Sequence, residues 1–253
     1  MWTPEALATI CGTFLLAGFV KGVIGLGLPA VSLALLTAAF GLAPAMALML
    51  VPSFVTNIWQ GLVGGHLRPL LARLWSLLAL AAATTWLGAK ILAGTDATAL
   101  AALLGLLLAL YALSNLLRWS LPPPGHREGW ASPLVGAVVG VLNGMTGSFV
   151  VPGVLYLQAL GFSRAELIQA MGILFTVSTV ALAVALADHR LVSPDLGKLS
   201  AIGVLPALAG MVAGQRLGRR LSEKHFRLVF FLSLLVLGLV ILIRQTLKLS
   251  ASW

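Results

Sequence analysis

Apolar residues run along this chain in continuous stretches of roughly twenty, each long enough to span about 30 Å of hydrocarbon as a helix. Short polar or charged segments part them. The first run, from about Ala6 to Ala39, is too long for one membrane helix and is broken at Gly18–Pro29, read GFVKGVIGLGLP. Glycine disfavours a helix interior, and Pro29 can start a helix because its missing N–H is not needed there. The pattern therefore predicts a half-helix ending near Lys21 and a second from Leu28 to Phe40. Spans are predicted near Ala45–Gly64, Leu74–Leu92 and Ala99–Leu117. Leu121–Ser132, LPPPGHREGWAS, reads as a surface linker. Beyond it a second broken run covers Pro133–Leu160, with spans near Leu167–Ala187, Leu199–Leu217 and Phe226–Ile243. The runs are Leu/Ala-rich without polar alternation, which predicts helices rather than a barrel.

The second broken run repeats the first. Gly140–Pro152 reads GVLNGMTGSFVVP, and its glycines at 140, 144 and 147 keep the spacing of those at 18, 22 and 25, offset by 122 residues. Further pairs keep the same order: Pro29 with Pro152, Gly41 with Gly161, Thr56 with Thr176, His66 with His189, and Gly88 with Gly214. The expected organisation is a first membrane repeat over 1–120, a linker over 121–132 and a second repeat over 133–253. Each repeat holds a broken helix pair, re-entrant or short, followed by three transmembrane helices.

Composition fits that reading: 60% of residues are hydrophobic and 9% charged, against about 25% charged in a soluble domain. The net charge is +9, but the basic residues lie mostly between apolar runs, as the positive-inside rule describes, so nucleic acid is not an expected partner. If each broken run enters and leaves on one side, Arg68, Arg73, Arg118, Arg127, Arg164, Arg216, Arg219, Arg220, Lys224 and Arg227 share a face. Lys90, Arg190, Lys198, Arg244 and Lys248 share the other, a split of ten to five. A single crossing per broken run gives eight to seven. The hairpin reading is preferred; it makes the two repeats inverted, with the ten-charge face cytoplasmic. Cys11 is the single cysteine, which excludes an intrachain disulfide framework. The start, MWTPEALATI, lacks the basic segment of a cleavable signal peptide.

The stretches GFVKGVIGLGLP and GVLNGMTGSFVVPGVLYLQALG, with WLGAKIL and AGQRLGRRL downstream, resemble the TauE/SafE family of sulfite and organosulfonate exporters. The resemblance extends over nearly the whole length. It implies secondary transport of small anions, often oxidised sulfur compounds, across the cell membrane, here a bacterial inner membrane.

The residues themselves allow that chemistry. All seven acidic residues, Glu5, Asp96, Glu128, Glu166, Asp188, Asp195 and Glu223, fall at run ends or in loops. A cation carrier commonly uses intramembrane carboxylates. Lys21 is the one charge placed within an apolar run. Helices restarting in mid-membrane carry unpaired N–H groups and the positive dipole end, which suit an anion. The expected substrate site lies near the midplane between the two breaks. It comprises Lys21, Gly22, Gly25 and Gly27, then Thr56 and Asn57, then Asn143, Gly144, Thr146, Gly147 and Ser148. Each has a plainer alternative. The glycines serve equally for close helix packing, the threonines bond back to their own helices, and Lys21 reaches the interface if the half-helix nearly crosses. No HExxH, GxSxG or Walker A motif occurs, so no enzyme activity, cofactor or metal is expected. The alternative reading is a membrane-embedded enzyme or accessory subunit. Lipid and a small anion are the expected partners; proton coupling and a homodimer stay open.

Overall fold

The computed structural model describes residues 3–218, 220 and 222–251. Arg219, counted above on the ten-charge face, lies outside them, as does the side chain of Glu223. Among the described residues the regular structure is helical throughout. Among the described residues seven helical segments are long and apolar enough to cross a membrane: Pro4–Ile24, Leu42–Leu62, Leu67–Gly94, Ala97–Leu116, Arg164–Asp188, Asp195–Gly218 and Lys224–Ala251.

The chain folds into two compact units, each drawing on both halves of the sequence. The first holds residues up to Pro52, Ala97–Leu117 and the chain from Val192 on; the second holds Ser53–Asp96 and Arg118–Leu191.

In the first unit, α1 (Pro4–Ile24) begins where the Thr3 hydroxyl accepts from the Ala6 N–H at 3.3 Å, with Pro4 in the first turn. It ends at Gly25, which is left-handed at φ 78°. The helix therefore runs one turn beyond the end expected near Lys21. After two residues, α2 (Leu28–Phe40) starts with Pro29 in its first turn. α3 (Leu42–Leu62) contains Pro52, which has no N–H to give the carbonyl of Leu48. Ser200 replaces it: its hydroxyl donates to Leu48 O at 2.7 Å and accepts from Val51 N at 3.0 Å. α5 (Ala97–Leu116) packs along α11 (Glu223–Ala251), with Gly105 against Gly238. The run expected as one span from Leu199 is divided into α9 (Pro194–Ile202) and α10 (Val204–Gly218). Pro206 cannot donate to the Ile202 carbonyl, and the aromatic ring of Phe14 fills the space where Gly203 would carry a Cβ.

The second unit holds α4 (Leu67–Gly94), α6 (Glu128–Thr146), α7 (Gly153–Ala159) and α8 (Arg164–Asp188), with α3 from Ser53 on. The expected linker is helical sooner than its prolines suggest: a 3₁₀ turn covers Gly125–Arg127 and α6 starts at Glu128. Arg73 fixes that start. It makes two bonds to the Glu128 carboxylate, at 2.7 and 2.8 Å, donates to Leu160 O at 3.1 Å and lies over the Phe162 ring. α8 opens on a reciprocal pair of hydrogen bonds between Ser163 and Glu166. Near its other end the Trp86 indole donates to Asp188 at 2.8 Å, and the ring stacks on His189. α4 and α8 outrun the apolar windows that predicted them. Those windows measure the stretch suited to hydrocarbon, while helical hydrogen bonding continues into the polar flanks.

Both units use the glycine motif alike. In the first, a Cβ on Gly18 would stand 2.1 Å from Ala207 O, and one on Gly22 would stand 2.2 Å from Met211 O of α10. In the second, a Cβ on Gly140 would stand 2.2 Å from Ala81 O, and one on Gly144 would stand 2.1 Å from Thr85 O of α4. No side chain fits there. Hence Gly18→Ala, Gly22→Ala and Gly144→Ala are each expected to lower stability, by about 1–3 kcal/mol or more, because the neighbour that must yield is backbone. A Cβ on Gly12 would meet nothing within 4 Å, so Gly12→Ala is expected to be neutral or slightly stabilising. Thermal melts of the purified variants in one detergent check the contrast.

Candidate functional site

In the first unit the break follows from how α1 stops. The N–H of Gly25 donates to Lys21 O at 2.8 Å and closes the last turn. Leu26 and Gly27 then turn the chain, Gly27 with φ 108°. Val20 and Phe230 side chains stand 3.1 and 3.2 Å from where a Gly27 Cβ would be, so this corner is close-packed as well as left-handed. Gly27 O accepts from Val31 N at 2.8 Å, the first bond of α2. The leading N–H groups of such a helix have no partner within it and carry the positive end of its dipole. Lys21, in the last turn of α1, is only 4% exposed, so its side chain is held inside the chain rather than spread over the surface. The break thus brings a buried lysine and a helix start within seven residues of each other.

The break in the second unit is closed the same way and furnished differently. Gly147, at φ 73°, donates its N–H to Asn143 O at 2.7 Å. The peptide between Val151 and Pro152 is cis, and α7 then runs for only 7 residues. The expected helix restart is therefore much shorter here than in the first unit. Fully buried Asn143 holds three helices: its side-chain N–H₂ donates to Ser178 O of α8 at 2.9 Å and to the Thr85 hydroxyl of α4 at 3.2 Å. The Thr146 hydroxyl donates to Leu142 O at 2.7 Å and accepts from Ser148 N at 3.2 Å. Phe149 packs on Phe175, ring centroids 4.7 Å apart. On α3, Thr56 and Asn57 are buried, and the Thr56 hydroxyl donates to Ser53 O at 3.3 Å. Thr176 bonds back to Gly172 O at 2.7 Å, the plainer of its two sequence readings.

Of the sequence-predicted site residues, Lys21, Gly22, Gly25 and Gly27 stand in the first unit. Thr56, Asn57, Asn143, Gly144, Thr146, Gly147 and Ser148 stand in the second. Within each unit the residues flanking a break are brought together. Gly22 and Gly144 turn their open sides to α10 and α4, so helix packing accounts for both. Thr85 and Ser178 were missed, although each is a hydroxyl inside an apolar run. The Ser178 hydroxyl and the Asn143 carbonyl oxygen are buried without a hydrogen-bond partner. Gln169 is a capping residue: its carbonyl accepts from His66 N at 2.9 Å and its N–H₂ donates to Gly61 O at 2.9 Å. Among the described residues no Asp or Glu is buried, and no three His, Cys, Asp or Glu side chains gather as a metal site. Because Asn143 ties α6 to α4 and α8, Asn143→Ala is expected to lower stability by about 1–3 kcal/mol. Melting of the purified variant checks this, and an unchanged melt would remove Asn143 from the scaffold.

Neither the curated proteins nor the solved structures hold a match to this chain. The family model described as sulfite exporter TauE/SafE matches residues 10–241, nearly the whole length. With its helical structure and apolar spans, the chain is a multi-pass membrane protein and belongs to the TauE/SafE sulfite exporter family.

Proposed function

We propose that this protein carries a small anion across the membrane as a secondary transporter or facilitated exporter. The substrate class is an oxidised sulfur compound such as sulfite or an organosulfonate. Family membership supports the class. The observation that carries the anion reading is Lys21: a buried lysine seven residues before the start of α2, in a chain with no buried carboxylate among the described residues. A buried charge is costly to insert and is commonly retained for function. In this reading Lys21 and the first N–H groups of α2 hold the oxyanion, and Gly25 and Gly27 let backbone approach it. The second unit carries its own neutral hydrogen-bonding groups at its break, Asn143, Thr146 and Ser148, with Thr56 and Asn57 on α3.

Flux of labelled sulfite, sulfate, thiosulfate, sulfoacetate and small carboxylates into proteoliposomes tests the function directly. Saturable flux of at least one sulfur oxyanion is expected from the protein alone. Hydrogen bonds to charged groups contribute about 1.5–3 kcal/mol, so Lys21→Gln is expected to weaken apparent affinity roughly 10- to 150-fold. Lys21→Arg should retain more activity at matched protein levels. Wild-type affinity in Lys21→Gln would take the ammonium out of the site.

The ten-to-five charge split further supports two inverted repeats with the more basic face in the cytoplasm. In a Cys11→Ser background, Arg68→Cys and Arg118→Cys are expected to react with an impermeant thiol reagent only from the cytoplasmic side. Lys90→Cys and Lys198→Cys should react only from the outside. Labelling of Arg118→Cys and Lys198→Cys from one side would end the inverted reading.

A further inference from the structure

The end of α2 far from the break borders a second feature of the first unit. There the last turn of α2, the start of α5 and the last turns of α11 line a cavity of about 310 Å³. This is near the lower end of the roughly 300–1,000 Å³ usual for small-ligand sites. Arg244, Gln245 and Lys248 line it from α11, Thr98 from α5, and Thr37 and Gly41 from the end of α2. No Asp or Glu is among its lining residues.

Three features converge on one ligand chemistry. Arg244 and Lys248 are one turn apart on the same helix, an arrangement in which like charges repel; an anion seated against both relieves that repulsion. α5 begins at Ala97, so the cavity also meets the positive end of a 20-residue helix. Thr37 is 3% exposed, and its hydroxyl has no hydrogen-bond partner, which leaves a buried donor at the cavity wall. Gly41 keeps the wall open: its φ of 87° favours glycine, and a Cβ there would meet nothing within 4 Å. Two influences oppose an anion there: the Asp96 carboxylate directly before α5, and the carbonyl end of α2, which is partly capped because Gly41 N donates to Thr37 O at 3.0 Å.

We propose that this cavity binds an oxyanion group, a sulfur or phosphorus oxyanion, with Arg244 and Lys248 as its cationic contacts. The cavity is distinct from the break. α2 separates them by its 13 residues, about 20 Å at 1.5 Å per residue. The proposal does not rest on the transport reading. The group comes either from a free anion or from the phosphate of an anionic phospholipid. The lipid source is served by exposed Val236, Leu239, Ile243 and Leu247, which flank the cavity residues on α11.

The test uses the full-length protein purified in detergent and then reconstituted in nanodiscs. Calorimetric titration with sodium sulfate and with sulfite reads the free-anion source. Native mass spectrometry after exposure to phosphatidylglycerol, with phosphatidylcholine as control, reads the lipid source. The variants are Arg244→Gln/Lys248→Gln and the charge-keeping Arg244→Lys/Lys248→Arg, each made in a Lys21→Gln background so that the titration does not read the break. The Lys21→Gln protein is expected to bind sulfate or sulfite, or to retain phosphatidylglycerol over phosphatidylcholine. The Gln pair should weaken that binding roughly 10- to 100-fold, and the charge-keeping pair should restore most of it. Binding of the free anions identifies a free-anion site, and selective retention of phosphatidylglycerol identifies a headgroup site. Equal binding with and without the Gln pair, or no binding of either probe, overturns the proposal.

Discussion

The structure depends on helices whose backbones nearly touch. In hydrocarbon, burying one apolar side chain against another yields little, because lipid is as apolar as leucine. Packing must come from close approach, and close approach needs positions without side chains. Gly18 and Gly22 provide them for α1 against α10, which answers with Gly210 and Gly214. Gly136, Gly140 and Gly144 provide them for α6 against α4, which answers with Gly88. At each of these glycines a Cβ would stand between 2.1 and 2.3 Å from a carbonyl oxygen of the neighbouring helix. The Thr84 hydroxyl adds a bond across the second pair, to Ala137 O at 2.8 Å.

The third glycine of each motif has a different task. Gly25 and Gly147 adopt φ of 78° and 73° and stop their helices. One short motif therefore fastens a helix to its neighbour over two turns and ends it on the next. A helix that ends within an apolar run leaves polar backbone to be satisfied locally. The residues at these two ends reflect that demand: Lys21 on one side, and Asn143, Thr146 and Ser148 on the other. All four are buried. The polar character of the breaks thus sits beside the close packing of the helices that lead into them.

Proline acts through the same constraint. Pro52 interrupts the ladder of α3, and the hydroxyl of Ser200, distant in sequence, takes over the orphaned carbonyl of Leu48. Pro206 stands in the first turn of α10, and the helical run is divided beside it, between Ile202 and Val204. In a membrane each lost N–H has to be replaced or the helix divides.

Much of this was legible in the chain. Long apolar runs dictated helices, because only an intra-segment hydrogen-bond ladder satisfies a backbone in lipid. Gly25, Gly27 and Pro29 announced a break, since each disfavours a continuing helix or favours a new one. The spacing of 18, 22 and 25 with 140, 144 and 147 announced two similar breaks. Tertiary structure alone decided which glycines face a neighbouring helix and which turn the chain, because the spacing is equally suited to ligand approach and to packing. It alone decided that Ser200 serves Leu48, that Asn143 reaches Ser178 and Thr85, and that Arg73 draws Glu128 into the start of α6. Those partners lie between 35 and 152 residues apart, and hydropathy records where a residue is buried but not what it meets there.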